Sequence, residues 1–186
     1  METLVVYLAG KISHHGWRDK IVCDIDAFTG EIYEKSYSNT RIDDLITSGP
    51  FFISCDHGCY HGSDSHGVGG YESGDEYGYR CAGYGIPKSI VPTICKKQID
   101  RSNFVFAYID SDSCYGTLCE IGYAIGKRHP VTIMFANDQL EKDMWFIAEI
   151  SNIVFNKDGI VQKADVDDVS VFDASQKIKD LLMEVK

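Results

Sequence analysis

Short apolar runs recur along this chain, each followed by a stretch with helical spacing, and that alternation restricts the fold more than any other feature. Residues 4–9, 51–55, 104–109 and 131–135 are apolar runs of strand length, rich in β-branched and aromatic side chains. Such runs are too short for helices, and they lack the polar alternation of a half-exposed strand. They read instead as strands of a parallel sheet covered on both faces. Residues 153–155 are a weaker fifth. Helical stretches at 86–100, 117–128, 139–150 and 173–185 fall between and after them. In the last, Asp173 is the expected N-cap, and Ile178, Leu181, Leu182 and Val185 share one face. Strand and helix in alternation imply right-handed crossovers and a mostly parallel sheet.

The expected fold is therefore α/β, with a Rossmann-like, doubly wound, mostly parallel five-stranded sheet in a single domain. Two stretches do not fit the alternation. Residues 21–47 mix β-formers with the turn signal Thr29-Gly30-Glu31, as in a hairpin or a helix extension. Residues 56–85 are rich in Gly, Tyr, Ser, Asp and His and too long for a simple connector, so they are expected to be an inserted loop of a functional or disordered kind.

With 186 residues the chain can bury a sizeable core, and its 44% hydrophobic and 25% charged residues are those of a globular protein. Its net charge of −10, with no basic block, argues against a nucleic-acid polymer as partner. A small anionic ligand is compatible with one locally positive pocket, for which Lys11, Arg18 and Arg80 are the candidate cations. The N-terminus has an acid where a signal peptide needs a base, and its apolar run is too short to span a membrane. Seven cysteines, an odd number, then read most simply as reduced thiols in the cytoplasm, with no membrane partner.

Ligands of parallel α/β sheets bind beyond the carboxyl ends of the strands. Three segments fall there: 10–13, 55–70 and 110–120. In the last, Gly116-Thr117 is expected to open a helix whose free N–H groups attract an anion. Glu120 is expected in about its first turn, where the helix dipole favours the carboxylate. Beside a sugar-binding crevice such a carboxylate can attack an anomeric carbon. Glutamate also occurs in first turns simply because it stabilises them. The second segment offers Cys55, His57, Cys59, His61 and His66 as candidate zinc ligands. Their spacing matches no standard structural zinc site, so a ligand-binding loop in which His57 and His61 meet a phosphate, base or ribose, or a merely polar loop, stays open beside it. Tyr71, Tyr77, Tyr79 and Tyr84 could stack on a base or pack a lid. Trp17 is expected in the core, and Arg18 faces either substrate or a surface acid. The stretch from Gly122 to Lys127 lies inside a helix and does not form a phosphate loop.

Tyr7-Leu8-Ala9-Gly10-Lys11-Ile12 with Trp17-Arg18, followed by Gly116-Thr117-x-x-Glu120-Ile121-Gly122-Tyr123-Ala124 and Gly126-Lys127, resembles the nucleoside 2-deoxyribosyltransferase superfamily. That group includes 2-deoxynucleoside 5-monophosphate N-glycosidases. The likeness covers about the first twenty residues and 100–151. It implies a Rossmann-like fold, dimers or larger homo-oligomers, and no cofactor. It also implies that Glu120 is the sugar-accepting nucleophile and that Tyr7, Gly10 and Lys11 line the sugar and base. Asp143-Met144-Trp145 lies about where the family reaches into a neighbour's site. Cys114 stands where family transferases carry Asp and the monophosphate hydrolases carry Ser, which leaves Asp110 or Asp112 for the proton. A further family Asp aligns with Cys95, with Asp100 the nearest carboxylate. The expected activity is N-glycosidic cleavage or (deoxy)ribosyl transfer on a nucleoside or nucleotide. The alternatives are a non-catalytic nucleotide-binding or sensor module using the same pocket, and a metal-dependent hydrolase centred on the cluster from Cys55 to His66.

Overall fold

A computed structural model of the chain describes residues 3–11, 17–22, 41–50, 91–163 and 169–184. In chain order the elements are β1 (Val5–Gly10), α1 (Trp17–Ile21), β2 (Arg41–Ile42), β3 (Leu45–Ser48), α2 (Val91–Asp100) and β4 (Phe104–Ile109). There follow α3 (Tyr115–Gly126), β5 (Val131–Phe135), α4 (Asp138–Asp143), α5 (Trp145–Ile150), β6 (Ile153–Asn156), β7 (Gly159–Lys163) and α6 (Val169–Glu184). Among the described residues the strands form one mixed sheet of seven rather than five, in the order β2-β3-β1-β4-β5-β6-β7. The inner five are parallel, and the two edge strands pair antiparallel with their neighbours.

The parallel strands are apolar on both sides because both faces are covered. On one face Tyr7, Ala9, Val105, Ala107, Ile109 and Ile133 pack against α2 to α5 through Ile94, Cys95, Ile121, Leu140 and Ala148. On the other, Val6, Leu8, Phe104, Phe106 and Phe155 pack against α1 and α6 through Trp17, Ile21, Val171, Ala174 and Ile178. Alternate residues of each strand thus serve opposite halves of the core. The expected α/β class with a mostly parallel sheet is what the chain adopts.

The differences are local and have physical causes. On the side away from β4, β1 pairs parallel with β3, whose buried residues include Thr47 and Ser48. These polar residues interrupt the apolar signal that picks out the other inner strands. The run at 51–55 lies outside the described residues, as do 86–90 of the expected helix. Strand β7 follows an Asn156-Lys157-Asp158-Gly159 turn in which the Asn156 side chain accepts from the N–H groups of Asp158 and Gly159. The helix expected over 139–150 is two short helices that meet at Met144, whose backbone leaves the helical region at φ −107°, ψ 29°. Asn137 caps the first through its side chain. Helix α6 starts four residues before Asp173, because burial of Val171, and not a cap at Asp173, decides where it begins.

After β1 the chain builds β3 on one side and then returns to place β4 on the other. The β1/β4 boundary is thus the point where the winding reverses, and a crevice opens there beyond the carboxyl ends of the two strands.

Candidate functional site

The carboxyl end of β1 brings Gly10 and Lys11 to that crevice, and the carboxyl end of β4 brings Tyr108 to Ser113. The Lys11 ammonium donates to Ser113 Oγ at 3.4 Å, and the Ser111 and Ser113 hydroxyls lie 3.2 Å apart. Asp110 and Asp112 are both exposed here, and neither hydrogen-bonds Glu120 among the described residues. Cys114 precedes α3 without a side-chain cap, and burial pushes its thiol up, with Asp110 and Asp112 adding to the effect.

Helix α3 begins at Tyr115, so Glu120 falls in its second turn, beyond the free N–H groups of the first. The helix terminus expected to hold the carboxylate does not reach it. Instead the Tyr7 hydroxyl, brought by the opposite strand, donates to Glu120 Oε1 at 2.5 Å. Glu120 is half-buried and Tyr7 fully buried. Burial pushes the Glu120 carboxyl up, while Tyr7, the Arg18 guanidinium and the Cys95 thiol pull it back down; burial wins. Burial, reinforced by the charge of Glu120 and by Cys95, holds the Tyr7 phenol well above its ordinary range. Cys95, on α2, is pushed up to about 12, first by burial and then by Glu120. Tyr7 and Cys95 therefore stay uncharged at physiological pH beside a carboxylate that titrates above its usual range, with the Tyr7 hydroxyl its donor.

Arg18 is buried, and its guanidinium is aimed at the backbone that ends β1. Nε donates to the Leu8 carbonyl at 2.9 Å, Nη2 to Gly10 at 2.8 Å and Nη1 to Lys11 at 3.2 Å. Its plane also lies over the Trp17 ring, 4.7 Å from the centroid. The expectation that Trp17 is a core residue holds, for it packs against Tyr108 and Phe106.

Gly10 is required by this packing. A Cβ there would lie 2.7 Å from Trp17 Nε1 and 3.0 Å from the Tyr108 carbonyl oxygen, at a φ of +156°. Gly10→Ala is expected to cost about 2 kcal/mol by overpacking, or about 4–8 °C of Tm in a chain of this size. A thermal scan showing no loss would mean that Trp17 yields freely.

Thr117 is buried in the first turn of α3, whereas Gly116 is exposed, with no atom within 4 Å of where its Cβ would be. Met144 is half-buried against the core between α4 and α5, followed by the exposed, edge-on ring pair Trp145 and Phe146. Asp100 lies away from Glu120 in its contacts: it accepts from the Tyr123 hydroxyl and pairs with Lys127 at 3.6 Å. His57, His61 and the candidate metal ligands Cys55, Cys59 and His66 lie outside the described residues, as do Arg80 and the tyrosines at 71–84. Among the described residues, no helix is long and apolar enough to cross a membrane.

Tyr7, Arg18 and Glu120 are legible as candidates in the sequence; the influence of Cys95 and Glu120 on one another is not. No local pattern marks it, because α2 and α3 meet only once the sheet has formed.

No protein-family model and no curated protein sequence matches this chain. What the crevice does has to be read from its own residues.

Proposed function

We propose that the chain cleaves or transfers the N-glycosidic bond of a nucleoside, nucleotide or related ribosyl compound, with Glu120 as nucleophile. The observation that carries this reading is the hydrogen bond from Tyr7 to Glu120 Oε1 across the point where the sheet reverses its winding. A carboxylate held by one oxygen at such a crevice has its other oxygen free to react.

In this reaction a Glu120 oxygen bonds to C1 of the sugar as the C1–N bond breaks, through an oxocarbenium-like transition state. The base leaves with the bonding electron pair and takes a proton from Asp110 or Asp112. Water or a second base then attacks C1 and frees Glu120. Raising the carboxyl by burial keeps it poorly solvated, which favours attack once it is ionised. Lys11, Ser111 and Ser113 form a polar rim suited to the sugar hydroxyls or a phosphate. The reading includes a homodimer or larger assembly, in which the exposed Trp145 and Phe146 next to Met144 would meet a neighbouring subunit, and a cytoplasmic setting for the free thiols.

The test is to incubate the protein with nucleosides, nucleoside monophosphates and dinucleotides and assay free base. Release by the wild type and none by Glu120→Ala is the expected result. Equal release by both, or none by the wild type, overturns it.

A binding module using the same pocket is the second reading. It is favoured by Cys114, a buried thiol held up by its surroundings, at the position where the resembled transferases carry an acid. Thermal-shift titration separates the two, since a binder is stabilised by a ligand it does not consume.

A further inference from the structure

The end of β4 carries a phenol whose hydroxyl has no task in the fold. Tyr108 is the last residue but one of that strand and lies beside Gly10 in register, where the sheet reverses its winding. Its ring is half-buried and packs 5.5 Å from Trp17, whose own ring Arg18 covers while bonding the end of β1. The ring is therefore held in place by a rigid neighbourhood. Its hydroxyl makes no hydrogen bond among the described residues, although the hydroxyl of a buried tyrosine usually finds a partner. Trp17 adds a second unmet donor at the same rung. Its Nε1 is buried without a hydrogen-bond partner among the described residues, and it would stand 2.7 Å from a Cβ at Gly10. Donors that lose water without gaining an acceptor are costly, so an acceptor from outside the chain accounts for both.

The two faces of the sheet divide the crevice. Tyr7 and helix α3, with Glu120, lie on one face, whereas Tyr108 packs with Trp17 on the other. A carboxylate that attacks C1 from the α3 side expels the base away from itself, toward the side of Tyr108. We propose that Tyr108 is a substrate-contacting residue, whose hydroxyl donates to a carbonyl oxygen or ring nitrogen of the departing base. A phenol suits this place. Burial pushes it up, and Asp110 adds to the effect, so it stays a neutral donor where a carboxylate would repel an electron-rich base. The bond strengthens as negative charge develops on the base, which favours the transition state over the bound substrate. The effect on turnover rests on the glycosidic reading; the contact with a bound base does not.

Tyr108→Phe removes only the hydroxyl and leaves the ring on Trp17. Protein with tyrosines 13C-labelled at Cζ is titrated by NMR with guanosine and with uridine, the Tyr108 signal being assigned by its loss in Tyr108→Phe. That signal should move with at least one of them, and the variant should bind that nucleoside about three- to tenfold more weakly. With released base as the readout, Tyr108→Phe should lower kcat/KM about a hundredfold, with more of the loss in kcat than in KM. The loss should be smaller for 7-methylguanosine than for guanosine, because the methylated base leaves uncharged and needs the donor less. A Tyr108 signal that neither nucleoside moves overturns the proposal, as does a variant that binds and turns over like wild type. An equal loss with guanosine and 7-methylguanosine overturns the role at the departing base. If the signal moves and binding weakens but the wild type releases no base, the contact stands and the glycosidic reading fails.

Discussion

Glu120→Gln is expected to stop base release while making the protein more stable at neutral pH. An amide cannot form the glycosyl ester, so release should fall by about a thousandfold or more. The stability gain follows from the carboxyl itself. Its ordinary value is 4.5, and burial raises it in the folded chain despite Tyr7, Arg18 and Cys95. Below about pH 4.5 the group is protonated whether the chain is folded or not, and it costs nothing. As pH rises through the raised value, the folded chain must ionise a poorly solvated group that the unfolded chain ionises freely, and stability is lost. Glutamine carries no such cost, and its side-chain oxygen can still accept from Tyr7. The variant and wild type should therefore melt together near pH 4, with the variant higher by about 2 °C or more near pH 8. A difference independent of pH, or a less stable variant at pH 8, would show that Glu120 is held by its partners more strongly than burial opposes it. Activity gained at the expense of stability is the usual mark of a working carboxylate, and a group kept only to start a helix has no reason to show it.

The parts of the fold legible in the sequence are those in which one physical signal dominates. Strands β1, β4 and β5 announce themselves, and β6 does so more weakly, because burial on both faces demands continuous apolar residues. Strand β3 is just as buried but ends in Thr47 and Ser48, so its residues do not stand out by hydropathy. Strand β7 needs no apolar run, since it is an edge strand held by a hairpin. Its signal is the Asp158-Gly159 pair, which the turn chemistry of hairpins makes readable. The break between α4 and α5 carries no glycine or proline, and nothing in the local sequence marks Met144 as the place where it occurs.

The site divides in the same way. Glu120 lies in a strand-turn-helix whose local pattern makes it a candidate, whereas Tyr7 lies in a buried strand and is a candidate only through what the family resemblance implies. That they touch depends on β1 and β4 being neighbours, which follows from the winding order. The helix-start argument for Glu120 fails because α3 begins at Tyr115, placing the carboxylate one turn too far along. What holds it is tertiary: the Tyr7 phenol from another element, with the charge of Arg18 acting on it from a third. Arg18 shows the limit most clearly. A lone arginine after a strand suggests an anionic ligand, yet three of its hydrogen bonds run to the chain that ends β1.

Arg18→Met is the substitution expected to cost the most stability. Methionine keeps much of the apolar stem and can pack on Trp17, so the loss isolates the guanidinium. Three donations to carbonyls disappear, those to Leu8, Gly10 and Lys11, in a setting where Arg18 is only 6% exposed. Two of these acceptors, Leu8 and Gly10, are buried, and each left without a donor costs about 1–3 kcal/mol, so a loss of about 3 kcal/mol and about 6–12 °C of Tm is expected. Lysine should restore only part of this, since a single ammonium cannot reproduce the planar fork that meets several acceptors. The same change removes a positive charge that lowers the Glu120 carboxyl, so in an NMR titration of 13C-labelled glutamate carboxyls Glu120 should move further up in Arg18→Met and less in Arg18→Lys. Stability and titration thus report the two tasks of one side chain. A variant that melts like wild type would mean that other donors replace Arg18 at the end of β1. One that melts low but titrates Glu120 unchanged would confine Arg18 to holding the backbone, and leave the Tyr7 hydroxyl as the group that sets the carboxylate.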